Sequence, residues 1–277
     1  MGGTAEVVTY MDKLPGTTYQ VLVPNQKGLE SVFSLLAAHP DKPPIDEIAI
    51  FTAATDAFSM ANTNVTVADS LKRLERVVQG AMDKGIRVRG YVSVVITCPY
   101  SGSVDYKRVR DVTKELLDMG CYEVSLGDTT GTGNPTSVGE MLSVALGANP
   151  AERLAGHVRS PVSCRINLLL TEHMLHFQFH DTFGMGVANS MAALSAGIRT
   201  LDSSIGGLGG CPYSPGATGN VATEDVLYAM RDSPYSAPGD LDALVDVGFW
   251  ISEKLGRDNS SRVAKAIRAR RERGVKL

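Results

Sequence analysis

The sequence predicts an α/β fold, a (β/α)8 barrel that is incomplete, with further helices at its C-terminal side. Three observations carry this expectation. Short β-rich runs alternate with longer helical patterns, the signature of βαβ units and a parallel sheet. Several runs end in small or polar residues, where such barrels keep their active sites. A glycine-dense stretch, Ser203–Asn220, follows the last run. A doubly wound sheet is the alternative, but no Gly-x-Gly-x-x-Gly opens a helix after a first strand.

The N-terminal residues, Met1–Gly16, have a helix-like pattern with neither an apolar signal core nor an Arg-rich amphipathic face. Strands are expected at Tyr19–Val23, Glu47–Thr52, Arg87–Val94, Glu123–Leu126 and Thr200–Ser203, with one more in the 154–180 region. Helices are expected at Thr66–Lys84, Tyr106–Met119 and Thr136–Leu146. That gives six strands where a closed barrel of this type has eight, so two edges should remain unpaired. The organisation expected is a barrel domain over 1–232 and a helical extension over 233–277, which caps the barrel or forms a dimer contact.

The chain has 277 residues, 43% hydrophobic and 21% charged, with a net charge of −3. Near-neutral charge leaves no electrostatic footprint for nucleic acid. The one basic cluster, Arg268 to Lys276, suits a solvated helix end. No apolar run reaches the length of a membrane span. Cys98, Cys121, Cys164 and Cys211 lack metal-type pair spacing, and a chain this long folds without disulfides, which points to a reducing compartment.

The residues with chemistry to offer gather at strand ends. His180, before Asp181 and Thr182, follows an apolar run and could present a ring nitrogen to a metal. Asp181 would orient it or cap the next helix. A metal-binding strand end wants a second ligand at i−2, where Gln178 stands; His157 also ends a strand-like run. Ser203–Asn220 holds six glycines and no charge, which lets backbone approach a ligand closely. Within it, Cys211 is either a small buried hydrophobe or an acid–base group near a carbonyl substrate. Cys98 poses the same question. Asn220 supplies an amide oxygen suited to a hard metal. Asp128 is a rim carboxylate or a cap, and Arg89 either binds an anionic group or pairs with a carboxylate.

Together these residues resemble the 3-hydroxy-3-methylglutaryl-CoA lyase family of metal-dependent TIM-barrel enzymes. The resemblance runs through Val23-Pro24-Asn25, Val88–Ser93, Cys98-Pro99-Tyr100, Met119–Glu123, Ser125–Thr129, His180-Asp181-Thr182 and, most specifically, Gly207–Tyr213. It implies a retro-Claisen cleavage to acetyl-CoA and acetoacetate, assisted by Mg2+ or Mn2+. It further implies metal ligation by His180, His157 and Asn220, catalytic roles for Cys211, Arg89 and Asp128, and substrate contacts from Asn62, Asn64 and Tyr91. A CoA thioester is the implied partner, with a possible homodimer and no nucleic acid or membrane. The implied setting is leucine catabolism and ketone-body formation in the mitochondrial matrix, or in the peroxisome. Alternatives are a related acyl-CoA or oxo-acid aldolase or synthase, and an inactive isoform.

Two departures from the family pattern shape what is expected of this chain. The family's first strand carries an Arg-Asp pair and its second a Glu, and neither strand is found here, as a start codon assigned too late would produce. The family also has two histidines at i and i+2. Here 21 residues, 158–178, separate His157 from Phe179-His180, a 63-nucleotide length with ends that suit a retained intron. Removing them restores His-x-His-Asp-Thr. The chain as written is therefore expected to have little or no lyase activity.

Overall fold

The computed structural model describes residues 3–147, 175–214, 216 and 218–274. Six short runs pair in parallel: β1 (Gln20–Leu22), β2 (Glu47–Ala53), β3 (Arg87–Ser93), β6 (Glu123–Asp128), β7 (Leu175–Phe179) and β8 (Thr200–Asp202). They order as β1-β2-β3-β6-β7-β8, a curled sheet two strands short of the eight that close a TIM barrel. Both edges, β1 and β8, are free among the described residues. A two-stranded hairpin, β4 (Thr97–Cys98) with β5 (Gly102–Ser103), follows β3 and went unread in the sequence because each arm is only two residues long.

Each crossover helix starts at a cap the sequence supplies. After α1 (Thr4–Tyr10) and β1, Asn25 accepts the Gly28 N–H at the start of α2 (Gln26–Ala38). Thr55 does so for α3 (Asp56–Thr63), Thr66 for α4 (Val67–Met82) and Asp105 for α5 (Tyr106–Asp118). Next come α6 (Pro135–Gly147), α7 (Gly186–Ser195) and α8 (Thr223–Ala229). The 233–277 segment contains α9 (Leu241–Leu255) and α10 (Arg262–Glu272), whose Val245, Ala264 and Ile267 form a small core of their own.

Strand parity sorts the sheet into two faces. Val88, Gly90 and Val92 of β3, with Val124 and Leu126 of β6, pack against the helices; a Cβ on Gly90 would meet Leu116 at 3.2 Å. The opposite face is polar. Arg89 is buried there, with Nε 2.6 Å from Glu123 and Nη2 2.9 Å from Asp202. Its Nη1 donates to Tyr91 Oη at 2.8 Å, and Ser125 Oγ donates to Asp202 at 2.7 Å. One layer lower, Glu47 accepts from Gln20, Tyr122 and Arg87.

Removing Arg89 strands two carboxylates in a half-closed interior, so Arg89→Ala is expected to lower stability by about 3–5 kcal/mol, while Asp202→Asn costs less. Urea denaturation measures both; a loss under about 1 kcal/mol for Arg89→Ala would show that these charges are solvated rather than paired.

Candidate active site

All strands run the same way, so the loops after β2, β3, β6, β7 and β8 share one end of the sheet. His180 stands there directly after β7 and is only 6% exposed. Its backbone pairs with Asn220 in an antiparallel bridge, flanked by Val221 N donating to Phe179 O and Asp181 N donating to Gly219 O. Asn220 Oδ1 accepts from Gln178 Nε2 at 2.9 Å, and its Nδ2 donates to Leu208 O at 3.1 Å. His180 Nδ1 is buried and has no partner among the described residues. Burial holds its pKa below the ordinary imidazole value, which favours the neutral ring. Asp181, by contrast, is occupied: Oδ1 accepts the Gly186 N–H that opens α7, and Oδ2 faces Arg262.

The glycine-rich loop lies at the same end, because Asn220 closes it against Leu208. It opens with a 3-10 turn, Ile205–Gly207, in which Gly206 and Gly207 take φ of 61° and 64°. Those values favour glycine. A Cβ on Gly209 would stand 2.6 Å from Asn220 Nδ2, so the loop needs its glycines to reach the asparagine. Cys211 is half-buried, unlike Cys98 and Cys121. Tyr100, from the β4–β5 hairpin, donates its hydroxyl to Tyr213 O at 2.8 Å and pins the loop two residues from the thiol. Thus His180, Asn220 and the loop that carries Cys211 lie at one end of the sheet.

Other candidates have different occupations. Arg89 sits within the sheet interior and pairs with Glu123 and Asp202, the second of the two roles open to it. Tyr91 is beside it, donating to Gln20 Oε1, and burial raises its pKa. Asp128 ends β6 on the helix-facing parity; its Oδ2 accepts the Gly133 N–H at 2.8 Å and organises that loop. Burial raises its pKa, although Gly133 and Thr130 donate to it. Asn64 is the exposed left-handed cap that ends α3, and Asn62 lies half-buried one turn before it. Cys98 is buried and accepts from Thr55 Oγ1 at 3.2 Å. Burial pushes its pKa up, but hydrogen bonds from Ser101, Thr55 and the backbone outweigh that and leave it lowered. His157 and 158–174 lie outside the described residues, while Leu175–Gln178 form β7, with Gln178 two residues before His180.

Sequence reasoning passed over Glu224. It is fully buried, and both carboxylate oxygens accept the Gly206 N–H, at 3.0 and 3.1 Å. Burial raises its pKa. The available signal was an acidic residue four positions after Asn220 inside the apolar run Val221–Met230.

A divalent cation fits this corner in part. The unpartnered His180 Nδ1 and the adjacent Asn220 Oδ1 are the donor types it takes. No group of three His, Cys, Asp or Glu side chains with metal-binding geometry occurs among the described residues.

The HMGL-like family model matches residues 19–251. The hydroxymethylglutaryl-CoA lyase of Pseudomonas aeruginosa, named also for 3-hydroxy-3-isohexenylglutaryl-CoA, is 43% identical over 98% of this chain and 80% of that protein. The mitochondrial hydroxymethylglutaryl-CoA lyase of Bos taurus is 40% identical over 96% of this chain and 73% of its own length. A crystal structure of the Pseudomonas aeruginosa lyase superposes with a TM-score of 0.83 at 42% identity, over 98% of this chain and 80% of that one. With the family model matched over residues 19–251 and these relatives matched over nearly its whole length, this chain belongs to the HMGL-like family.

Proposed function

We propose that this chain cleaves 3-hydroxy-3-methylglutaryl-CoA between C2 and C3, giving acetyl-CoA and acetoacetate. The observation that carries the reading is the meeting of an unpartnered buried imidazole nitrogen, Asn220 and the Cys211 loop at one end of a parallel sheet. Mg2+ or Mn2+, when bound, supplies Lewis-acid polarisation of the C3 hydroxyl and a carboxylate oxygen. His180, kept neutral by burial, and Asn220 would hold it, with His157 as the third ligand by family likeness. Loss of the hydroxyl proton lets the C2–C3 electron pair leave as the acetyl-CoA enolate, and the ketone of acetoacetate forms. Cys211, on a loop that can approach the thioester closely, serves the proton transfers. Asp128 shapes the adjoining loop through Gly133. Arg89 and Tyr91 hold the interior beneath the site, and Asn62 and Asn64, at the end of α3, are the residues proposed to contact the substrate.

The name of the cattle relative supports a mitochondrial matrix location, and the bacterial relatives show that the enzyme type is not confined to it. No helix among the described residues is long and apolar enough to cross a membrane. The α9–α10 pair, with exposed Val247 and Trp250, is the surface proposed for a homodimer.

With Mn2+ and substrate, the chain as written is expected to release acetoacetate at a low rate that Cys211→Ala abolishes; release that persists unchanged in Cys211→Ala would sink the reading. Deleting 158–178 places His157 and His180 at i and i+2. It is expected to tighten Mn2+ binding roughly tenfold by calorimetry, and His180→Ala to remove that gain; equal affinities in all three proteins would show that neither histidine binds the metal.

A further inference from the structure

Asn259 lies in the connection between α9 and α10 and is 3% exposed. Its Oδ1 accepts the Ser261 N–H at 2.8 Å, which fixes the orientation of the carboxamide. Nδ2 therefore points the other way, and among the described residues it has no partner. Buried amide donors rarely lack an acceptor. What it faces is specific. A Cβ on Gly206 would meet Nδ2 at 3.4 Å, and a Cβ on Gly248 of α9 would stand 2.9 Å from Nδ2 and 2.5 Å from Glu224 Oε1. The gap left by glycine in α9, where alanine would suit the helix better, thus receives a spare donor and a buried carboxylate together.

The far side of the same turn leads to the candidate active site. Ser260 N donates to Gly206 O at 3.0 Å. A Cβ on Gly207 would meet Ser260 Cβ at 2.9 Å and Asn220 O at 3.2 Å, and Gly219 packs directly on Gly207 O. The Gly206–Gly207 turn is therefore held between the α9–α10 connection on one side and Asn220 on the other. A shift of this turn moves Asn220 and the start of the loop that bears Cys211.

We infer that Asn259 is a positioning residue: its Nδ2 and Glu224 Oε1 line the same gap beside Gly248 without a direct hydrogen bond, and the positive end of the amide dipole there holds the carboxylate on the Gly206 N–H and so places the cysteine loop against His180 and Asn220. The inference rests on the lyase reading only for what the loop is placed to do.

The rate of Cys211 alkylation by iodoacetamide, followed by peptide mass spectrometry in the full chain, tests it. Cys121, 2% exposed and with its pKa pushed by burial to about 12, gauges global opening in the same sample. Asn259→Asp keeps the oxygen that caps Ser261 and removes the donor. It also places a second carboxylate beside Glu224, so Tm falls, and it is expected to speed Cys211 alkylation roughly fivefold with Cys121 nearly unchanged; Asn259→Ser, which removes the donor without adding charge, is expected to speed Cys211 alike. No change at Cys211, or equal acceleration of both cysteines, overturns the inference, since a purely capping Asn259 would give the first and general loosening the second. If Asn259→Asp fails to fold, Asn259→Ser, which also keeps a capping oxygen, is read by the same outcomes. Alkylation needs neither metal nor substrate, so a failed lyase assay and a failed positioning role remain distinguishable.

Discussion

The Asn220 carboxamide is the constraint on which the candidate site depends. The glycine-rich loop is one-third glycine, with Ile205, Leu208 and Tyr213 as its only large apolar side chains, so its path is set largely by backbone and polar contacts. Asn220 sets it from both ends of one amide: Oδ1 takes the Gln178 N–H from β7, and Nδ2 reaches Leu208 O at the loop's start. Such a bond is worth about 1 kcal/mol net. Two of them on one half-buried side chain fix a register as well as an energy, because the backbone bridge to His180 uses the same residue. A substituent on Gly209 would collide with Asn220 Nδ2, and one on Gly219 with Gly207 O, so the loop is glycine where it must approach closely as well as where, at Gly206 and Gly207, it must bend.

Beneath that corner the sheet holds itself by charge. Arg89 carries two carboxylates on a face that a closed barrel would bury completely, and here both edges of the sheet are free among the described residues. A buried ion pair is poor evidence for net stability, since desolvation consumes most of its attraction. Its effect is directional: it ties β3 to β6 and β8 across the interior and keeps the curl of an incomplete barrel. A groove of about 760 Å3 runs along the β8 edge between Leu194, Leu201, Leu227 and Met230, and neither His180 nor Cys211 lines it. This groove and the candidate chemistry are in different places.

Much of this was legible in the residues. Five strands and three crossover helices appear within two residues of where periodicity placed them, the sixth strand, Leu175–Phe179, falls inside the broad 154–180 region, and the shortage of two strands was countable before any coordinates. Residue type was readable; residue commitment was not. Arg89 could bind an anion or pair with a carboxylate, and nothing in Val88-Arg89-Gly90 says that Asp202, more than a hundred positions later, lies 2.9 Å away. Alternation along Arg87, Arg89 and Tyr91 did carry a hint, since three polar residues on one strand face imply a polar interior. Glu224 escaped because an acid in a helix N-terminal turn has an ordinary explanation in the helix dipole, whereas its burial arises only when α9 closes over it at Gly248.

The same distinction separates chemistry from architecture at the polar rim. A strand end followed by a helix needs acceptors for the helix's first N–H groups, so polar residues would collect there in a barrel with no active site at all. Asn25, Thr55, Asp105 and Asp181 are accounted for in this way, each with its oxygen on a backbone N–H. Asp128 is spent on Gly133 likewise. A residue left with an unspent atom after that accounting is held in place by something other than the fold's own requirements. His180 passes: it is buried, neutral by environment, and its Nδ1 finds nothing among the described residues to bond. Asn259 passes by the same criterion on the opposite side of the Gly206–Gly207 turn. Unsatisfied capacity, rather than polarity or position at the rim, is what marks these two side chains, His180 for a ligand and Asn259 for the Glu224 carboxylate across the Gly248 gap.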